Sequence, residues 1–200
     1  MKDRVEELAR AFERFPGIGT RQAKRFVYHL LATSPSERTK LAECIAGIGE
    51  DVRSCMSCMR FYSGSGELCF YCNDTSRDDS TLMLVEKDQD LLAVERAGGY
   101  RGRYFVLGGT LTLSGKGAIR ERELIEHIEK RIGANLKEIV LALSATTEGE
   151  HTADHIRTIL QPLRAHVKLF TLGRGLATGS ELEYADSVTI GGALKNRQET

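Results

Sequence analysis

No stretch of this chain approaches the ~20 consecutive apolar residues that a membrane-crossing helix needs. The opening segment, MKDRVEELARAF, is charged and lacks the apolar core of a secretory signal. A membrane-crossing helix is therefore not expected, and a cytoplasmic location is. There is no GxGxxG fingerprint after a strand-like run. The segment Gly109–Gly117, GTLTLSGKG, imitates a phosphate-binding loop but fails as one. It places five residues rather than four before its Gly-Lys pair, and Gly117 stands where a serine or threonine would hold magnesium. There is also no net charge: 28 basic side chains balance 28 acidic ones.

That balance hides a segregation. From Arg14 to Lys40 there are six bases (Arg14, Arg21, Lys24, Arg25, Arg38, Lys40) against the single acid Glu37. From Asp74 to Glu95 there are seven acids against Arg77 and Lys87. A basic module is followed by an acidic one, a pattern that suits either binding faces or a pair of solvated ones.

Four of the five cysteines, Cys55, Cys58, Cys69 and Cys72, form two CxxC pairs separated by ten residues. In a reducing compartment such an array points to a metal rather than to disulfides. Each CxxC turn aims two thiolates at one ion, and two turns complete the all-sulfur tetrahedron of structural zinc. With all four positions filled by cysteine, no place is left for a reactive water. The expectation is one structural zinc ion per chain, with the Gly/Ser-rich FYSGSGEL forming the tip of a ribbon too short to hold a core unaided. Cys44, alone in an apolar helical pattern, is expected to be a core residue.

In the N-terminal module Val5, Leu8, Ala9 and Phe12 recur with helical period. Pro16 and Gly17 end that helix, and Thr20 is placed to cap a second. There Ala23, Phe26, Val27, Leu30 and Leu31 form the apolar face, and Arg21, Lys24 and Arg25 the basic one. A third helix opens at SPSE, with Ser34 as cap, Pro35 at the first helical position and Glu37 closing a capping box. Its apolar face is Leu41, Cys44, Ile45 and Ile48. Two helices joined by PGIG make a helix-hairpin-helix, whose glycines and helix-start N–H groups suit a phosphate backbone. Arg21, Lys24 and Arg25 add a sequence-independent grip on DNA.

From Thr81 onward, strand-like runs (TLMLVE, RYFVLGG, KEIVLAL, HVKLFTL) alternate with helical ones. This is the signature of a mainly parallel sheet, whose ligands sit at the carboxyl ends of its strands. Glu86, the Gly108–Gly109 pair and SATTEGEHTAD (144–154) fall there. Glu86, Asp88, Asp90, Glu148 and Glu150 are the candidate carboxylates, but the third strand is followed by no Asp-x-Asp pair, which counts against Mg²⁺-dependent phosphoryl chemistry.

Taken together, FPGIGTRQAKR, the four-cysteine motif, RDDSTLMLVEKDQDLLAVE, GRYFVLGG, TTEGEHTADHI and ELEYAD, in that order over nearly the whole chain, resemble the RecR family of bacterial recombination mediators. The resemblance implies an α/β multi-part chain. A helix-hairpin-helix DNA-binding module would span 1–53 and a four-cysteine zinc finger 54–76. A Toprim domain would span 77–172, and a short Walker B-like segment 173–200. It implies a non-catalytic protein that binds DNA without sequence preference. Such a protein forms dimeric or tetrameric rings and acts with RecO and RecF in loading RecA at gapped or single-stranded DNA, close to the nucleoid during repair. On this reading Arg21, Lys24 and Arg25 contact DNA, the four cysteines hold zinc, and Glu86, Asp88, Asp90 and Glu148 belong to an acidic face that meets RecO. Ser144-Ala145 replace the family's usual Asn-Pro, and the 113–119 loop and the tail lack its prolines. The alternative is a Mg²⁺-dependent Toprim nuclease or primase-like enzyme.

Overall fold

In the computed structural model residues 3–114, 117–197 and 199 are described, and the chain divides into two units, Met1–Arg53 and Ser54–Thr200. Gly115 and Lys116 of the Gly109–Gly117 loop fall outside the described residues. No helix among the described residues is long and apolar enough to cross a membrane.

The first unit is helical. Helix α1 (Arg4–Phe12) starts where the Asp3 carboxylate accepts from the N–H groups of Val5 and Glu6. Helix α2 (Thr20–Ala32) follows a turn in which Gly17 adopts φ +77°, a conformation costly for any side chain with a Cβ. Ala9, Ala23 and Val27 are buried between α1 and α2, with Val5, Phe12 and Ile18 packed around them. Phe12 meets Phe26 edge-on at 5.6 Å. The cap of α2 is Gly19, not Thr20, which is the first helical residue; a glycine cap offers no side-chain acceptor. Helix α3 (Pro35–Asp51) carries the expected capping box between Ser34 and Glu37. Its apolar face does not enter a core, however: Cys44 is exposed, and Ile45 and Ile48 keep 63% and 65% of their surface. Periodicity marks which side is apolar but does not say whether anything covers it.

The second unit is built on four parallel strands, β3 (Asp78–Val85), β4 (Gly102–Val106), β5 (Glu138–Ala142) and β6 (Lys168–Thr171), in the order β4-β3-β5-β6. Leu82 faces Arg103 on one side and Ile139 on the other, and Val85 faces Val106 and Ala142. Strand β3 is buried on both faces, and the strand period of two divides its residues between two cores. Leu82 and Leu84 join Phe105, Ile139 and Leu141 beneath α6 (Glu121–Ile132) and α7 (Thr147–Ile159), through Leu124, Ile128 and Ile156. Each such leucine or isoleucine contributes about 1.5–3 kcal/mol on burial. Met83 and Val85 point to the other face, where Leu91 of α5 (Asp88–Ala97), Tyr104 and Val106 meet Cys55, Cys58 and Cys69. The cysteine segment, which begins at the short strand pair β1 (Val52–Ser54) and β2 (Phe61–Ser63) and ends in the one-turn helix α4 (Phe70–Asn73), is thus not a free ribbon. Its apolar interior is shared with one face of the sheet. The chain closes with α8 (Ser187–Lys195), capped by Asp186.

Candidate metal centre and nucleic-acid surface

The four cysteines form one cluster: one Sγ from each of Cys55, Cys58, Cys69 and Cys72, all within 4.8 Å of one another. A tetrahedron of sulfurs about 2.3 Å from a central zinc would have edges of about 3.8 Å. The Cys58–Cys69 separation is 3.6 Å. The donor set therefore fits a single four-coordinate ion. Two turns produce this geometry. Cys55 N–H donates to the Arg60 carbonyl at 2.8 Å and Met59 N–H to the Cys55 carbonyl at 3.0 Å, closing the first turn on itself. Met59 sits at φ +62°, uncommon for a side chain other than glycine or asparagine. In the second turn Cys72 N–H donates to the Cys69 carbonyl at 3.1 Å, and Cys69 N–H donates to the Cys55 sulfur at 3.3 Å.

Packed this closely, the thiols set one another's proton affinities in opposite directions. Cys55 is held well below the ordinary thiol value, first of all by its hydrogen bond with Cys58, and Cys58 is pushed well above it, first of all by Cys55. A coordinated cation removes that conflict, because metal-bound thiols are deprotonated outright. Three of the four cysteines are buried and Cys72 is half-buried, and with four thiols around one point no ligand position is left for water.

In the helical unit Arg21 and Arg25 are exposed on α2, with Arg25 Nη1 donating to Gln22 at 3.4 Å. Lys24 is different. Its ammonium lies 2.6 Å from the Glu6 carboxylate, which raises its pKa, so an acid on α1 neutralises it locally. Arg38 is also engaged, donating to the carbonyls of Leu30 and Thr33 at the end of α2. The N-terminus of α2 has neither a side-chain cap nor an acid in its first turn, so its free N–H groups and the positive end of the helix face outward.

The four carboxylates assigned to the acidic face do not share it as free groups. Glu86, at the end of β3, is only 4% exposed. Its two oxygens accept from the N–H of Ser144 at 2.7 Å and from its hydroxyl at 3.0 Å. Helix α7 comes so close that a Cβ on Gly149 would stand 2.0 Å from the Ser144 carbonyl and 3.3 Å from Glu86 Oε1. Glu86 is thus turned inward, its carboxylate engaged with Ser144 rather than standing free at the surface. Asp88 accepts from the Phe61 N–H at 2.8 Å and lies 3.9 Å from Arg60 Nε, tying α5 to the cysteine segment. Asp90 accepts from the Lys87 N–H at 2.9 Å, a helix-start bond. Glu148 remains exposed. Sequence reading missed Arg103 and Arg120, which donate to main-chain carbonyls beside the cysteines. Nothing in their local pattern sets them apart from surface arginines.

The described residues thus hold a helical hairpin with an uncapped, basic second helix and a parallel α/β domain that carries a four-cysteine cluster. Residues 5–48 match the family model "RecR, helix-hairpin-helix", 80–171 "Toprim domain" and 175–198 "RecR, C-terminal". The Recombination protein RecR of Chloroflexus aurantiacus is 39% identical over 98% of this chain and 94% of its own length. Those of Cutibacterium acnes and Frankia casuarinae are 37% and 36% identical, covering 96% and 97% of this chain and 94% and 96% of theirs. The chain belongs to the RecR family of recombination proteins.

Proposed function

We propose that this chain is a DNA-binding recombination mediator that catalyses no reaction of its own. It acts in the cytoplasm near the nucleoid, with RecO- and RecF-type partners, to promote RecA loading at gapped or single-stranded DNA. The observation that carries the reading is the α2 surface within a full-length family match: an uncapped helix start after PGIG with Arg21 and Arg25 exposed beside it. Such a surface meets phosphates regardless of base sequence. The cysteine centre takes one zinc ion in a structural role. The chain works as a dimeric or tetrameric ring, and Glu148 is the exposed carboxylate left to meet a partner.

The competing enzyme reading needs a carboxylate free to hold Mg²⁺, and Glu86 is committed to Ser144. One experiment separates the two. Gapped DNA is incubated with the zinc-loaded chain, with and without Mg²⁺, then with RecO, RecF and RecA. The mediator reading expects salt-sensitive binding, faster RecA filament growth and intact DNA strands. Mg²⁺-dependent nicking abolished by Glu86→Gln would establish the enzyme instead.

A further inference from the structure

Two arginines of the α/β unit reach into the main chain of the cysteine turns. Arg120 Nη1 donates to the Met59 carbonyl at 2.8 Å and to the Val106 carbonyl at 3.0 Å. Met59 directly follows Cys58 and holds its left-handed backbone with a carbonyl that also accepts from the Ser54 hydroxyl at 3.1 Å. Arg103, 7% exposed, does the same for the second turn: its Nη1 donates to the Tyr71 and Cys72 carbonyls at 3.2 and 3.1 Å. Its Nε is fixed on Asp79 at 2.8 Å. Four thiolates around a divalent cation leave an excess of negative charge in a buried place, which is costly without nearby compensation. The two guanidinium groups, bonded to the carbonyls of Met59, Tyr71 and Cys72, are placed to supply it.

Arg120 also closes a loop. Its N–H donates to the Leu107 carbonyl at 2.9 Å, so Gly108 and Ile119 are drawn to one point. At that point Val106 N–H donates to the Cys58 carbonyl at 2.8 Å, Leu107 N–H to Val85 at 2.9 Å and Gly108 N–H to Glu86 at 2.9 Å. Gly108, at φ +88°, lies against the guanidinium: a Cβ there would stand 3.2 Å from Arg120 Cζ. The loop further contacts α7 through Leu111 N–H and the Thr152 hydroxyl, 2.9 Å apart. The first cysteine turn is therefore one support of the loop at the carboxyl end of the sheet, where ligands of such folds sit.

We infer that Arg120 and Arg103 are positioning residues for the metal-binding thiols, and that through Arg120 the occupancy of the cysteine centre sets the order of the chain at Leu107, Gly108 and Arg120. The inference rests on the metal reading of the cluster given above. Metal loss loosens the Met59 carbonyl, releases the arginine and opens the loop base. Weakening the arginine, in turn, shortens metal retention.

The test uses the full chain loaded with zinc. Release to a chromogenic chelator is timed for wild type, Arg120→Ala, Arg120→Lys and the control Arg122→Ala, whose side chain is 85% exposed and pairs with Glu126. Release about 10-fold or more faster in Arg120→Ala is expected, on the scale seen when groups that orient metal ligands are removed. Arg120→Lys should fall between it and wild type, and Arg122→Ala should match wild type. In parallel, amide exchange is compared in zinc-loaded and stripped wild type. Stripping should speed exchange at Val106, Leu107, Gly108 and Arg120 and leave Ile139–Leu141 protected. This arm stands even where Arg120→Ala fails to fold. A wild type that holds zinc, with release unchanged in Arg120→Lys and folded Arg120→Ala, overturns the inference alone. Loop exchange indifferent to stripping does so too. A wild type that retains no metal overturns both the inference and the metal reading.

Discussion

The arginines of the helical unit and those of the α/β unit are the same residue put to opposite uses. On α2, Arg21 and Arg25 stand in solvent, where their charge is available to any polyanion that approaches. Behind the sheet, Arg77, Arg103 and Arg120 are turned inward. Arg77 donates to the Gly102 carbonyl and to Glu95 and lies 5.0 Å over the ring of Tyr71, while Arg103 and Arg120 hold the cysteine turns. A guanidinium is suited to both tasks, because its planar fork can grip phosphate or satisfy several carbonyls at once. Depth decides which. Substitutions in the first set should change binding and leave stability alone, and substitutions around the second should do the reverse.

The largest break in this comparison is at the metal. Cys58→Ser removes one ligand from the shared core of ribbon and sheet, so it should cost the metal and lower the melting temperature of the α/β unit while the sheet stays folded, read by metal content and circular dichroism. A metal-free variant with wild-type thermal unfolding would show that the sheet holds the ribbon unaided. Next comes Glu86→Ala, which strips two charge-assisted hydrogen bonds from Ser144 and should cost about 1.5–3 kcal/mol in a denaturant titration, with Glu86→Gln costing less.

Acid gives a smaller effect. His127, half-buried against Phe105 and accepting from Arg131 Nε, has its pKa lowered to about 4, mainly by its partial removal from water. A depressed folded-state value means that the unfolded chain binds the proton first. Its contribution is therefore complete above the ordinary value of about 6.5 and lost as pH falls toward 4, amounting to about 2 kcal/mol at pH 5. His127→Phe should flatten that limb of the pH–stability curve. The smallest change in free energy is expected on α2. Arg21→Ala with Arg25→Ala should weaken DNA binding by about 10-fold and lower the salt slope by about 2, with no shift in melting temperature. Lys24→Ala alone should do less, since Glu6 already holds that charge.

Much of this was readable along the chain because it depends on neighbours in sequence. The Ser34–Glu37 capping box, the glycine turn before α2, the strand–helix alternation and the four-cysteine spacing are all local patterns, and each has a physical cause acting over a few residues. Other readings failed where a local pattern is compatible with two surroundings. The apolar face of α3 was legible, but its exposure was not, and Cys44 was misplaced with it. Thr20 lost the cap of α2 to Gly19 by one residue, within the reach of backbone dihedrals that spacing does not fix.

What the sequence alone determined is the set of parts: two helices around a basic hairpin, a closed thiol centre and a parallel sheet. Period and spacing dictate these. What only the tertiary structure decided is which charges remain available. Glu86, Asp88 and Lys24, singled out along the chain as charged residues of its two modules, and Arg103 and Arg120, which sequence reading missed, are found engaged with Ser144, Phe61, Glu6 and the cysteine turns. Their partners lie between 18 and 61 residues away. Pairing over such distances is set by how sheet, ribbon and helices pack, a property that no stretch of the chain contains by itself.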